Sequence, residues 1–439
     1  MQRHCLSQLQ SLVTAEGAVI IHGLSGVGKS RLLRDLASSC AKQHFLPAGY
    51  ILTDIAIDRE LRTVLKISAE DSSQDSLLAA LSEYFSIPKE TVAKTFFLFD
   101  GAETLREDLR LLLKKQLPIR TAWATNRFDL IKGADACTFA VRPLSFAEFL
   151  EFTGHPEYND MISSHRVGNH PIPELFAQEF GDLYYDYMLT GGFPQAVNAY
   201  LADRTDISSL RIVHAQIHAG IVQSFADPDG RLPAKLQSLL WYYEGRYLNS
   251  QDTAENGIDE MSVPFRPGSI ARGLTKRQFE EAHRFLTDNG YLIPIQTERK
   301  TADSKNTTDV DERYTVADTG LYRYLHNDYD TFYNTEREEL PYRVLLQALY
   351  CECARADISV SRWESSRRNM HIPLVLPDTH EYVTILCEES KRNRAAHAFG
   401  EDHPDYTGYQ ITDSFSRNFD AHHNILWFEI EQALMSKKR

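Results

Sequence analysis

Residues 23–30 read GLSGVGKS, and this spacing of glycines, lysine and hydroxyl matches the phosphate-binding pattern G-x-x-x-x-G-K-[ST] in full. In that pattern, successive backbone N–H groups and a helix N-terminus surround an anionic phosphate. Lys29 would reach the β- and γ-phosphates, and the Ser30 hydroxyl would ligate Mg²⁺. The sequence therefore predicts that ATP or ADP binds together with Mg²⁺. The residues expected to contact the nucleotide are Gly23, Ser25, Gly26, Val27, Gly28, Lys29, Ser30 and Arg31.

An acidic residue directly follows the apolar run 96–99. Asp100 would stand at the C-terminal end of a buried strand facing the phosphate loop, where the Mg²⁺ shell needs its acidic member. The alternative is an aspartate in an ordinary strand-to-turn junction, here Asp-Gly. The phosphate loop favours the magnesium role, so Ser30 and Asp100 are the predicted metal ligands.

Two further residues are candidates for catalysis together with Lys29 and Asp100. Glu103 could polarise an attacking water, or it could be an acid in a first helical turn, where the helix dipole favours negative charge. Asn126 and Arg127 end the next apolar run, where polar groups would point at the γ-phosphate. Arg127 could neutralise charge as the phosphate leaves, or it could be a surface arginine in a loop. The sequence leaves both alternatives open.

The elements that would position these residues alternate between strands and helices. Apolar runs predict strands at about 18–23, 50–55, 95–100, 120–126 and 137–142, and helical spacing marks 30–45, 73–86 and 105–113. This alternation predicts an α/β fold with a parallel sheet and helices on both faces.

The composition is that of an ordinary globular protein, with 439 residues, 43% hydrophobic and 25% charged. No apolar stretch approaches the ~18 residues that span a bilayer, and the N-terminus lacks the apolar core of a signal peptide. We therefore expect a cytoplasmic protein with no membrane partner. The net charge of −14 argues against a protein coated in nucleic acid. Zinc and a disulfide framework are not expected, because only Cys351 and Cys353 lie close together.

Residues 156–225 show helical spacing, and a different pattern begins near 232. A helix is predicted there, then a short second helix at 270–274 and a third that is capped by Thr275 and ends at Asn289-Gly290. Strands follow at 291–297 and 314–316, with 298–313 as a flexible hairpin tip. Three helices and a β-hairpin indicate a winged helix–turn–helix.

The third helix of this segment could contact DNA phosphates, because cations lie on its exposed face. Acidic residues share the helix, so a winged helix that packs on protein is the alternative. The cations are Arg272, Lys276, Arg277, Arg284, Arg299 and Lys300, and the acids are Glu280, Glu281 and Asp288.

Five segments together resemble the AAA+/STAND-type P-loop ATPases of bacteria and archaea, and most closely a family with a restriction-endonuclease-like C-terminal domain of unknown function. They are GLSGVGKS at 23–30, FFLFDGAE at 96–103, RPLSFAEFLEF at 142–152, YMLTGGFPQAV at 187–197 and VADTGLYRYL at 316–325. The resemblance implies a P-loop NTPase core with strand order 5-1-4-3-2 (1–152), a helical lid (153–228), a winged helix (229–330) and a degenerate endonuclease-like α/β domain (331–439). It also places Pro194 near the adenine and allows an oligomer.

One departure from the family's pattern bears on turnover. The family usually has Glu directly after the magnesium Asp, whereas this chain has Gly101 and places Glu103 in the later acidic position of NACHT-type STAND switches. The resemblance thus implies a nucleotide-gated switch with slow ATP hydrolysis. The winged helix and the C-terminal domain would transmit the switch to a partner, which is DNA at the winged helix or a protein at the C-terminal domain. The alternatives are a winged-helix DNA-binding regulator and an interaction scaffold with a dead ATPase core.

The C-terminal segment is predicted to have a helix at 336–355 and strands near 358–363, 371–376, 381–387 and 425–430. An active nuclease of this family would need an Asp on the second of these strands and Glu-x-Lys on the third. Glu389-Ser390-Lys391 keeps the second half, but 371–376 has no acid and Asp378 lies beyond that strand. We therefore expect no nuclease activity.

Overall fold

The structure is a computed structural model in which the described residues form two compact units. The described residues are 5–15, 17–42, 49–71, 74–114, 119–134, 136–164, 174–227, 229–249, 263–264, 275–300, 308–327, 329, 342–365, 370–385, 389–412 and 423–426. The first unit comprises Met1–Arg142, Ala219–Arg231 and Asp288–Gly290. The second comprises Pro143–His218, Leu232–Thr287 and Tyr291–Arg439.

The first unit is built on a five-stranded parallel sheet in the order β2-β3-β4-β1-β5. Its strands are β1 (Ala18–His22), β2 (Tyr50–Asp54), β3 (Phe96–Asp100), β4 (Arg120–Thr125) and β5 (Cys137–Ala140). This is the predicted order 5-1-4-3-2 read from the other edge, so the predicted P-loop NTPase core is confirmed.

In the described part of the first unit, six α-helices accompany this sheet. They are α1 (Leu6–Ala15), α2 (Lys29–Lys42), α3 (Arg59–Glu70), α4 (Gln74–Phe85), α5 (Lys89–Val92) and α6 (Glu107–Lys114). One face of the sheet presents Phe97, Phe99 and Trp123 to the leucines of α3, α4 and α6. The rings of Phe99 and Trp123 are 4.3 Å apart, and both side chains are buried. This aromatic layer fixes the sheet whose carboxyl edge carries the candidate site.

The second unit contains most of the remaining helices. They are α7 (Phe146–Phe152), α8 (Pro156–Ser164), α9 (Glu174–Thr190), α10 (Pro194–Ala202), α11 (Ile207–Ser224, which ends in the first unit), α12 (Ala234–Asn249), α13 (Lys276–Asp288), α14 (Thr319–His326), α15 (Tyr342–Arg355) and α16 (Glu389–Asp402). The predicted apolar face of α13 is buried, with Phe279, Ala282 and Leu286 each at most 1% exposed. The predicted helix at 270–274, with Arg272, lies outside the described residues.

An eight-stranded mixed sheet in the second unit has the order β13-β12-β11-β10-β9-β7-β8-β6. Its strands are β6 (Val263–Pro264), β7 (Leu292–Lys300), β8 (Thr308–Val316), β9 (Ser361–Ser365), β10 (Met370–Leu376), β11 (Glu381–Ile385), β12 (Thr407–Thr412) and β13 (His423–Leu426). Strand β7 pairs with β8 on one side and with β9 on the other. The hairpin of the expected winged helix and the C-terminal strands therefore share one sheet.

One local prediction in this unit was wrong. Residues 298–300 and 308–313, expected in a flexible tip, extend β7 and β8, because ladder hydrogen bonds satisfy the backbone whatever the polarity of the side chains. Glu389 and Lys391, which follow the predicted strand 381–387, lie at the start of helix α16. Asp378 lies in a single turn of 3₁₀-helix after β10, and its Oδ2 accepts a hydrogen bond from Ser359 N at 3.2 Å.

None of the helices in the described part of the chain combines the length and apolar character needed to cross a membrane.

Candidate nucleotide-binding site

The phosphate loop connects β1 to α2, so it lies at the carboxyl edge of the parallel sheet. Strands β3, β4 and β1 are neighbours in that order. Asp100 ends β3, Asn126 follows β4, and the loop follows β1. Because parallel strands end at the same edge, the topology gathers all three at one place.

Lys29 is folded back onto its own loop. Its Nζ donates to Gly23 O at 2.9 Å and to Leu24 O at 2.7 Å, and the residue is 6% exposed. Burial lowers the pKa of Lys29 to about 8, and the negative charges of Glu103 and Asp100 oppose this shift. An ammonium group has three N–H donors, so one remains for a phosphate oxygen beside these two bonds.

The backbone at position 101 favours glycine over any larger residue. Its φ is +74°, a region that side chains with a Cβ rarely adopt. A Cβ at this position would also lie 2.8 Å from Ala56 Cβ. In this turn, Gly101 N donates a hydrogen bond to Asp100 Oδ1 at 3.0 Å, which fixes the Asp100 carboxylate at the end of β3.

The carboxylate of Glu103 is bound by the neighbouring strand. Glu103 lies in a short 3₁₀-helix, Ala102–Thr104. Its Oε1 accepts from Asn126 Nδ2 at 2.9 Å, and its Oε2 accepts from Asn126 N at 3.2 Å. Two lone-pair positions of this carboxylate remain to accept a proton from water. The sequence places Asn126 at the strand end, but it does not predict this contact.

The guanidinium of Arg127 is paired with an acid two residues further along the chain. Its Nε and Nη2 donate to the two carboxylate oxygens of Asp129 at 2.7 and 2.8 Å, and its side chain is 15% exposed. A bidentate pair of this kind is strong and geometrically specific. The pair uses two of the five N–H groups of the guanidinium, and the role of Arg127 toward a leaving phosphate stays a prediction.

The remaining predicted contacts are distributed over both units. Ser30 and Arg31 are exposed in the first turn of α2, where Arg31 Nε pairs with Asp35 at 3.0 Å. Val27 is fully buried and Ser25 half-buried in the loop. Pro194 begins α10 in the second unit, and its place near the adenine stays a prediction.

Three of the sequence motifs meet in the second unit, at Gly192. Leu144 N donates to Gly192 O at 2.6 Å, and Gly192 N donates to Asp318 Oδ2 at 2.8 Å. A Cβ on Gly192 would lie 2.4 Å from Leu144 O, so no larger residue fits. Asp318 also caps α14 by accepting from Leu321 N at 3.0 Å. Burial raises the pKa of the Asp318 carboxyl, against the effect of these backbone hydrogen bonds.

Two histidines that the sequence places one helical turn apart have protein partners. His214 Nε2 lies 2.9 Å from Thr190 O, and its Nδ1 lies 2.7 Å from Tyr329 Oη. His218 Nε2 lies 3.0 Å from Tyr291 Oη. Burial lowers the pKa of both imidazoles to about 4. These histidines therefore belong to the buried hydrogen-bond network of the unit.

The exposed face of α13 is partly neutralised by its own acids. Glu281 binds Arg277 Nε at 3.1 Å and Lys235 Nζ at 3.3 Å. Arg284 is exposed on the same helix. The structure does not describe the side chains of Lys276, Arg299 and Lys300.

The fold assignment rests on the parallel sheet and the phosphate loop of this chain, and the comparisons with known proteins add only distant similarities. No protein-family model and no curated protein matches the chain. A Walker-type ATPase of Pyrococcus abyssi is similar over 73% of this chain and 94% of its own, at 14% identity and a TM-score of 0.42. PCH-2 of C. elegans is similar over 52% of this chain and 70% of its own, at 12% identity and a TM-score of 0.31. The structure of Drosophila ORC bound to DNA is similar over 73% of this chain and 84% of its own, at 14% identity and a TM-score of 0.26.

Proposed function

We propose that this protein is a nucleotide-gated switch of the AAA+/STAND kind, which binds ATP with Mg²⁺ and hydrolyses it slowly. The observation that carries the proposal is the position of Lys29, Asp100 and Glu103 at the carboxyl edge of neighbouring strands, where both acids counteract the effect of burial on the pKa of Lys29. A lysine of a phosphate loop, an acid at a strand end and a second acid beside it supply the charges that phosphoryl transfer requires.

The residues present fit Mg²⁺-ATP. The loop precedes the N-terminus of α2, where backbone N–H groups and the helix dipole favour phosphate. Lys29 retains an N–H for a phosphate oxygen beside its two bonds to loop carbonyls. The Ser30 hydroxyl and the Asp100 carboxylate would hold Mg²⁺, which prefers oxygen ligands and when bound offsets the charge of the phosphates.

Slow turnover follows from the way Glu103 is held. Glu103 is the acid that would orient and deprotonate an attacking water, but Asn126 binds both of its oxygens. Only the two lone-pair positions that remain can accept from water, and the carboxylate cannot turn toward the water without breaking a hydrogen bond to Asn126. Gly101 cannot substitute for Glu103, since it has no side chain.

Partners are proposed from the second unit. The sharing of Glu281 between Arg277 and Lys235 favours a winged helix that contacts protein, because two cations are already paired. A DNA-binding winged helix is the competing role. The C-terminal strands, with Glu389 and Lys391 on a helix, support the expectation of no nuclease activity.

The core of the proposal is tested by Lys29→Ala and Glu103→Gln. We expect Lys29→Ala to weaken ATP binding more than about a hundredfold in calorimetric titration, because the buried ammonium that meets the phosphates is lost. We expect Glu103→Gln to bind ATP normally and to lower phosphate release about a hundredfold.

A matched control is Lys66→Ala, which removes a lysine of the same unit that pairs with Asp108 at 3.9 Å. It should leave affinity and phosphate release unchanged. Unchanged ATP affinity in Lys29→Ala would overturn nucleotide binding at this loop. Equal phosphate release by the natural protein and Glu103→Gln would reduce the proposal to a scaffold that binds nucleotide without hydrolysing it.

A further inference from the structure

The turn that follows β4 is oriented by acceptors from other parts of the chain. Three successive backbone N–H groups of this turn each donate to a side-chain oxygen. Asn126 N donates to Glu103 Oε2 at 3.2 Å, Arg127 N to Thr125 Oγ1 at 3.0 Å and Phe128 N to Asn289 Oδ1 at 2.7 Å. The turn thus links the candidate acid Glu103 at one end to Asn289 at the other.

Further contacts fix the far end of the same turn. The Phe128 ring lies 4.4 Å from the ring of His22, the last residue of β1. Arg110 Nε donates to Leu130 O at 2.6 Å, and its Nη2 donates to Asp129 O. These contacts restrain the chain on the far side of the Phe128 amide, so we expect a movement of that amide to be passed toward Asn126.

Asn289 is the least expected of these partners, since 161 residues separate it from Phe128. Both residues belong to the first compact unit. Asn289 is 3% exposed, and its oxygen must be the atom that faces Phe128 N, because an amide N–H needs an acceptor.

The role of Asn289 as a helix stop does not explain its buried side chain. Helix α13 is ended by Gly290, with φ +76°, and by the bond from Tyr291 N to Leu286 O at 2.9 Å. This is the backbone closure of a Schellman motif, which uses no side-chain atom of the preceding residue. The hydrogen bond from the Phe128 amide to the Asn289 side chain is therefore additional to the helix stop.

We propose that Asn289 is a positioning residue for Glu103, acting through the 126–128 turn, with all of these residues in the first unit. The inference rests on the proposed function insofar as Glu103 acts on water. Asn289 touches no reacting atom, so its effect on hydrolysis is separable from an effect on nucleotide binding.

The first test uses the nucleotide-free protein and site-resolved hydrogen exchange. Asn289→Leu keeps the size of the side chain and removes the acceptor, whereas Asn289→Asp keeps an acceptor oxygen. We expect Asn289→Leu to speed exchange about tenfold at both the Phe128 and the Asn126 amides, as loss of one buried hydrogen bond would. Asn289→Asp should stay within about threefold of the natural protein.

An increase at Phe128 with none at Asn126 would overturn the proposal, because the turn would then not transmit the change. A uniform increase across β1–β5 would also overturn it, by showing that Asn289 only stabilises the fold. This readout does not depend on ATP.

The second test separates hydrolysis from binding. We expect Asn289→Leu to lower kcat about tenfold with the Kd for ATP within about twofold, because a misoriented base affects only the chemical step. Asn289→Asp should recover most of kcat. A merely structural role would move kcat and Kd together, or neither.

The matched control is Lys132→Ala, which breaks the neighbouring bond from Lys132 Nζ to Asp288 Oδ2 at 2.7 Å without touching the Phe128 amide. It should change kcat by less than about twofold. If the natural protein binds ATP but releases no phosphate, the proposed function fails while the exchange test still decides the role of Asn289. If hydrolysis is normal in Asn289→Leu, only the positioning role fails.

Discussion

Two polar clusters, one in each unit, are built from motifs that the sequence analysis singled out. At the sheet edge of the first unit, Asp100 and Glu103 are half-buried, and Lys29 is held by loop carbonyls with an N–H to spare. In the second unit, Asp318 is fully buried, and backbone amides of two separate segments occupy both its carboxylate oxygens. The first cluster can accept a ligand, while the second joins segments of the chain.

The difference shows that a sequence motif indicates chemistry only when the hydrogen-bond partners of its residues are known. The phosphate loop and the segments around Gly192 and Asp318 support the same family resemblance. Buried polar groups that are bonded to backbone on every side rigidify a fold. Polar groups that keep donors or acceptors at a sheet edge can exchange partners with a ligand.

The largest expected effect that separates the clusters is on stability. Asp318→Ala would leave the amides of Gly192 and Leu321 buried without their acceptor, which costs about 3 kcal/mol in the free energy of unfolding. Affinity for ATP should change by less than about twofold in the folded protein. Urea denaturation and calorimetric titration measure the two quantities.

The control for this change is Asp206→Ala, at a more exposed acid that accepts from Ser209 N at 2.9 Å in the first turn of α11. Water can replace an acceptor there, so the loss should be far smaller than at Asp318. A loss of ATP binding in Asp318→Ala, with stability unchanged, would show that the buried cluster belongs to the nucleotide site.

Much of the first unit was predictable because buried parallel strands are continuous apolar runs. The run 96–99 ends in Asp100 in both the prediction and the structure. Helix α3 was not predicted, although its buried residues Leu61, Leu65, Ser68 and Ala69 recur at the spacing of one helix face. A continuous apolar run is recognised directly in the sequence, whereas a helix face that includes small residues has to be found by its period.

The partners of the site residues were less predictable, because they depend on tertiary approach. Asn126 reaches Glu103 only because β4 lies beside β3. Asn289-Gly290 was correctly expected to end a helix, but no local pattern indicates that its side chain binds Phe128 N. The β7–β8 hairpin was predicted to be too short, because polar residues 298–300 were assigned to a tip, although β9 completes their pairing.

A smaller effect is the pH dependence of ATP affinity. Burial lowers the pKa of Lys29 to about 8, and bound phosphates would stabilise its charged form and raise that pKa. Binding then takes up a proton above pH 8. We expect affinity to be constant below about pH 7.5 and to fall by up to tenfold per unit as pH rises from about 8.5.

The lowered pKa of Lys29 has the opposite effect on folding stability, which rises with pH where ATP affinity falls. Between pH 8 and 10.5, the unfolded chain carries a proton on Lys29 that the folded chain lacks, so this group makes the folded state more stable as pH rises. Lys29→Met removes both contributions and serves as the reference. Calorimetry and urea denaturation over pH 7 to 10 would measure the pH dependence of ATP affinity and of the free energy of unfolding, each as a difference from this variant. An ATP affinity of the natural protein that does not depend on pH would contradict the assignment of this dependence to Lys29.

The smallest effect is expected where polar groups are exposed. The pairs of Glu281 with Arg277 and Lys235 are open to water, which screens them, so Glu281→Gln should shift the melting temperature by less than about 2 °C. The same variant tests whether α13 is a nucleic-acid surface, because it releases two cations for phosphate contact. We expect no duplex DNA binding at physiological salt by either protein in fluorescence anisotropy. DNA binding that is tighter in Glu281→Gln than in the natural protein, and that weakens steeply with salt, would instead show that α13 binds nucleic acid.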